Sequence, residues 1–101
     1  MIDNISSGFA RTIIEEKCVS EAIDEAIEIS PRLIQLYDGL KWRLARKPES
    51  GFKASRTENL YVIKTPDWSF LDIPTLRVFY TFDENNVILR EIDIIPITSK
   101  K

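Results

Sequence analysis

The side chains available for chemistry are defined first by what is missing. The 101-residue chain contains no histidine. That removes Ser-His-Asp and Cys-His arrangements and imidazole-ligated metal sites. Proton transfer would fall to carboxylates, lysines or tyrosines. The single cysteine, Cys18, permits no internal disulfide and points to a reducing compartment, the cytoplasm. Glu21, Asp24, Glu25 and Glu28 have the spacing of one helix face. Oxygen sites for metals need convergence from several segments, so these four read as a solvated surface, with no metal and no cofactor expected.

Cations are the more informative group. Net charge is only −2, yet it is unevenly distributed. Residues 41–64 carry Lys41, Arg43, Arg46, Lys47, Lys53, Arg56 and Lys64 against Glu49 and Glu58. Residues 1–40 carry three cations and eight carboxylates. The basic block suits a phosphate backbone, and Arg43, Arg46, Lys47, Lys53 and Arg56 are its candidate nucleic-acid contacts. It equally suits an acidic protein surface, or a solvated helix end and loop that offset the acidic helices. Arg77 stands alone in an otherwise apolar run and is the other candidate.

The elements that must hold these groups follow from periodicity. Ile73 to Ile95 contains two β-branched and aromatic runs around Asp83-Glu84-Asn85-Asn86, the pattern of a β-hairpin. A three-residue loop, Glu84 to Asn86, with Asn86 left-handed, sets Phe82, Tyr80, Val78 and Leu76 opposite Ile88, Arg90, Ile92 and Ile94. That face is apolar except for Arg90. The other pairs Thr81 with Leu89, Phe79 with Glu91 and Arg77 with Asp93. Arg77 therefore divides between a cross-strand ion pair and a phosphate contact.

Upstream, Ser20 begins a helix whose apolar stripe is Ala22, Ile23, Ala26, Ile27 and Ile29. Ser30-Pro31 starts a second helix running to about Lys47, with Leu33, Leu36, Tyr37, Leu40 and Leu44 inward and Ile34 and Trp42 on the flanks. Pro48 ends it. Residues 9–18 fit either an edge strand or a helix, and lean to helix. Cys18 reads as a packed small apolar residue. Residues 48–59 form a basic loop, and Leu60 to Thr65 a strand. Pro66 to Pro74 is a proline-flanked connector with Trp68 and Phe70, either tucked over the sheet edge or presented to a partner. Ser6-Ser7-Gly8 reads as a break and residues 97–101 as a frayed tail. No apolar run approaches the ~18–20 residues that span a bilayer, and no secretory leader pattern is present. The expected fold is a single α+β domain, a helical hairpin on an antiparallel sheet of three to four strands.

Three short stretches then carry a resemblance. Leu44 to Pro48 fits a "leucine-x-x-x-proline" turn after a helical hairpin. Leu60 to Lys64 fits a "leucine-tyrosine-x-isoleucine-x" strand. Arg77 to Tyr80 fits an "arginine-hydrophobic-hydrophobic-tyrosine" strand. In this order, over about residues 30–95, the chain resembles the RelE/ParE toxin superfamily. The resemblance implies a toxin of a toxin–antitoxin pair, of the plasmid-stabilisation kind, with an antitoxin protein as partner. RelE-type members are ribosome-dependent endoribonucleases that cut messenger RNA, and ParE-type members inhibit DNA gyrase. It implies catalytic roles for Arg77, which opens the third strand, and for Lys64, the second of two strand lysines. The first of those positions is Val62, and the family's C-terminal basic and tyrosine positions have no counterpart at Ile94-Ile95-Pro96-Ile97. These departures count against an efficient ribonuclease and leave room for a non-catalytic, protein-binding relative. The family also begins with a strand paired into the sheet, for which residues 9–15 are the only candidate.

Overall fold

The computed structural model describes residues 10–56, 58–66 and 68–96; the expected break at residues 6–8 and the tail from residue 97 lie outside them. The elements, in chain order, are β1 (Thr12–Glu15), α1 (Lys17–Ile29), α2 (Leu33–Arg46), β2 (Phe52–Lys53), β3 (Tyr61–Lys64), β4 (Thr75–Phe82) and β5 (Asn86–Ile95). Short 3₁₀ turns lie at Pro48–Ser50 and Ser69–Leu71. The architecture is α+β, two helices on a five-stranded mixed sheet of order β1-β5-β4-β3-β2. This corrects the expected three to four antiparallel strands in two places. β1 pairs with β5 in parallel, Thr12 opposite Asn86 through Glu15 opposite Leu89. β2 adds a short antiparallel edge, Phe52 opposite Val62 and Lys53 opposite Tyr61.

Residues 12–15 are thus a strand and not the start of a helix. The reason lies at Glu15, whose alternation with Ile13 sends it to the helix side of the sheet. There the Tyr37 hydroxyl donates to its carboxylate at 2.5 Å and the Lys41 ammonium stands 3.4 Å away. An inward carboxylate with partners is affordable; without them the strand would be disfavoured. The first helix begins at Lys17, earlier than Ser20, and the Ser20 hydroxyl donates back to the Lys17 carbonyl instead of capping. Its buried residues are Val19 and Ile23. Ile29 does not belong to the buried stripe, being 87% exposed at the helix end. Cys18 is exposed and not packed, and its thiol donates to the Arg90 carbonyl at 3.3 Å. A turn over Pro31 and Arg32 precedes α2, whose first amide, Leu33, donates to the Ser30 carbonyl. Leu33, Tyr37, Leu40 and Leu44 are buried, with Ile34 and Trp42 exposed beside them as expected.

One core results. Val19 and Ile23 of α1 and Leu33, Tyr37, Leu40 and Leu44 of α2 pack on Ile63, Leu76, Val78, Tyr80, Val87 and Leu89. All the strand members project from one face of the sheet. Ile92 and Ile94 pack against that core, half-buried. Burying a side chain of this size contributes about 1.5–3 kcal/mol, so this face determines the fold. The helices leave the other face uncovered.

The hairpin register holds at its base and slips near the turn. Leu76 pairs with Ile94, Arg77 with Asp93, Val78 with Ile92 and Phe79 with Glu91. Tyr80 then pairs with Leu89, Thr81 with Ile88 and Phe82 with Val87. Arg90 is the extra residue of a β-bulge, two residues on β5 facing one interval on β4. The bulge resolves the anomaly of a charge on an apolar face. It turns Arg90 outward, where its guanidinium meets Glu16 at 3.5 Å, and brings Leu89 inward in place of Ile88. The loop is set by the Asp83 carboxylate, which accepts the amides of Asn85 and Asn86 at 2.8 Å each, an Asx turn. Those amides hold the Asp83 carboxyl below the usual carboxylate range. Asn86 is not left-handed; among the described non-glycine residues only Asp72 has positive φ, at 62°.

Candidate functional site

Lys64, Arg77 and Asp93 lie in one row across the uncovered face, on β3, β4 and β5. The Arg77 guanidinium donates twice to one Asp93 oxygen, from Nε at 3.1 Å and Nη2 at 2.7 Å. Both partners are partly exposed, so the pair contributes about 0.2–1 kcal/mol. Its larger consequence is chemical. A phosphate approaching Arg77 must compete with a carboxylate already in place. Lys64 is exposed beside it, with no ion-pair partner among the described residues. The next row is Phe52, Val62, Phe79 and Glu91. Val62 thus puts an apolar side chain where the resemblance calls for a cation.

The basic block is dispersed. Arg43 and Arg46 occupy the last turn of α2, where cations complement the helix dipole. Arg46 lies 4.2 Å from the Trp42 ring and donates to the Trp42 carbonyl. Lys47 follows the helix and Arg56 sits in the next loop, both exposed. Lys53 is in register with Tyr61, so it projects from the opposite side of the sheet to Lys64. Lys41 turns inward to Glu15 and Asp38 and lies over the Tyr37 ring.

What the structure does bring together is Arg43, Lys64 and Trp68. They line one cleft of about 540 Å³ between α2 and the end of β3, with Gln35, Leu36, Gly39, Leu40, Ile63, Thr65 and Pro66. Two features create it. β2 pairs only with Tyr61 and Val62, which leaves the edge at Ile63 and Lys64 without a neighbouring strand among the described residues. Gly39 keeps the helix wall low, since a Cβ there would meet no atom within 4 Å. Thr65 fixes the floor: its amide donates to the Leu76 carbonyl and its hydroxyl accepts the Leu76 amide, each at 2.9 Å. No carboxylate lines the cleft among the described residues. The size and the mix of apolar wall with few polar groups are those of a small-ligand site.

The connector's aromatics are not both tucked over the sheet edge. Phe70 is 79% exposed, and Trp68, 37% exposed, forms a cleft wall through its bridge to Ile73. Sequence reasoning named Trp68 as a surface candidate and Arg43 and Lys64 as cations. It did not join them, because nothing in the sequence states how the connector folds back on α2.

Two tyrosines are held protonated for structural ends. Burial, then the adjacent Glu15, raises the Tyr37 phenol far above its ordinary value. Burial pushes Tyr80 up to about 12. The Tyr80 hydroxyl donates to the Pro48 carbonyl at 2.5 Å and accepts the Gly51 amide at 3.0 Å, which ties the loop after α2 to β4. Gly51 is required by that approach, since a Cβ would fall 2.5 Å from the Val62 carbonyl oxygen and 2.6 Å from the Tyr80 hydroxyl.

No family model matches the chain, no curated protein matches it in sequence, and no solved structure matches its fold.

Proposed function

We propose that this chain is a toxin-like protein of the RelE/ParE kind that acts on the translation machinery by binding RNA and cleaves it weakly or not at all. The observation that carries this is the placement of Lys64 directly opposite Arg77 on the uncovered sheet face, the two strand cations of the resemblance side by side. The pairing of β1 into the sheet supports it, since the family begins with such a strand. Weak cleavage follows from the chemistry of the same face. Attack by a ribose 2′-hydroxyl builds negative charge on phosphorus, which fixed cations must stabilise. Here Arg77 is already neutralised by Asp93, and Val62 offers no charge. An antitoxin protein is the partner this reading implies, and the cytoplasm the compartment.

Expression of the chain alone in bacteria tests the proposal. Growth arrest with reduced protein synthesis and largely intact transcripts is the expected outcome. Efficient ribosome-dependent cleavage abolished by Arg77→Ala would overturn the binding-only part. Arrest with DNA-damage signalling would favour gyrase inhibition, and no arrest a non-toxic protein-binding relative.

A further inference from the structure

We infer that the uncovered face of the sheet is a self-association surface, on which a second copy of this chain docks about a two-fold axis running along β4. The face is built in rows. Phe52, Val62, Phe79 and Glu91 stand side by side on β2, β3, β4 and β5. Lys64, Arg77 and Asp93 form the row on one side of it. Thr81, Ile88 and Ile14 form the row on the other. Phe52 is 80% exposed and Ile14 42%, at opposite borders of the face. Charge divides at β4. Arg77 and Asp93 satisfy one another. Lys64 on β3 and Glu91 on β5 make no side-chain hydrogen bond or ion pair with any described residue. Unpaired charges of opposite sign on either side of one strand form a self-complementary pattern. Rotation by half a turn about β4 lays β3 of one copy over β5 of the other. Each Lys64 then comes within reach of Glu91 and Asp93 of the second copy. Phe79 meets its own counterpart on the axis, and Phe52 moves toward Ile14 and Ile88. A protein of a single charge sign would satisfy one side of the face and be repelled by the other. The strands offer on the order of 500 Å² of face per copy. That is at the low end for specific association, so the dimer is reversible and forms in the micromolar range.

This inference stands whether or not the protein arrests growth, because it is read from the mass of the purified full chain. In the dimer Lys64 and Arg77 are covered, so RNA and the second copy compete for one face. Sedimentation equilibrium over about 1–500 μM protein measures the association. A reductant is present throughout, so that the exposed Cys18 forms no disulfide between copies. A monomer–dimer equilibrium is expected. Lys64→Glu and Glu91→Lys should each weaken the dimer at least about tenfold, since each sets like charges together at both symmetry-related contacts. An equimolar mixture of the two variants should recover the parental dimerisation, because pairing one with the other restores opposite charges at every contact. Phe79→Asp, on the axis, should also weaken the dimer at least about tenfold, with urea unfolding confirming that each variant folds. A parent that stays monomeric across the range would overturn the inference and leave the face to partners of another kind. So would a dimer that survives Lys64→Glu, Glu91→Lys and Phe79→Asp, or a mixture of the two charge variants that stays monomeric.

Discussion

On β4, Leu76, Val78 and Tyr80 have no accessible surface, while Arg77, Phe79 and Thr81 alternate with them on the uncovered side. The two sets share one backbone and one partner strand. They differ in what lies above them: α1 and α2 on one side, and no element of the described residues on the other. The inner set carries the free energy of the fold, and the outer set is open to carry contacts with other molecules. The difference teaches where substitutions should unfold the protein and where they should change only what it touches.

The comparison is broken most directly at Leu76. Leu76→Ala should destabilise the protein by about 3 kcal/mol, through lost burial and a cavity. Phe79→Ala, one turn of the pleat away on the outer side, should cost about 1 kcal/mol or less. Equal losses in urea unfolding would refute the division. Tyr80→Phe sharpens it next, at about 1–3 kcal/mol, because it leaves the Gly51 amide and Pro48 carbonyl without their partner. Its pH dependence is diagnostic. The Tyr80 phenol titrates near 10 when unfolded and at about 12 when folded. Its contribution is therefore complete below pH 10 and lost as pH rises through 12. The alkaline decline of stability should be shallower in Tyr80→Phe than in the parent.

Deletion of Arg90 comes third. Removing the bulged residue makes the β5 alternation regular, with Val87, Leu89, Ile92 and Ile94 all still inward. The expected cost is about 1 kcal/mol, from the Glu16 pair and the Cys18 contact. Deletion of Leu89 also makes the alternation regular but sets Arg90 in the buried place opposite Tyr80, and should cost far more. Arg77→Ala has the smallest effect on stability, below about 1 kcal/mol and smaller still at high salt.

Much of the fold was legible in the sequence, and what escaped has physical causes. The hairpin base, with Arg77 opposite Asp93, follows from the alternation of long β-branched runs. The bulge does not, because a pattern of period two carries no record of an inserted residue except the misplaced charge at Arg90. β1 was hidden by its length of four residues and by Glu15, a carboxylate on the buried side whose partners Tyr37 and Lys41 lie far along the chain. β2 was hidden in a loop of polar composition because two residues leave no periodicity. Of the candidate cations, the sequence named Arg43 and Lys64 but could not tell which of seven would face the same cavity. That depended on where β2 stops pairing and where Trp68 folds back.

The parallel pairing of β1 with β5 has a consequence for biosynthesis. Thr12 finds its neighbour at Asn86, some 70 residues later. At about 5–20 residues per second, the first strand leaves the ribosome several seconds before β5, its neighbour among the described residues, is made. During that interval the nascent helices have no sheet to settle on, and the unclosed edge is exposed to other chains. Slowing translation across the region that encodes β4 and β5 should therefore lower the yield of native protein.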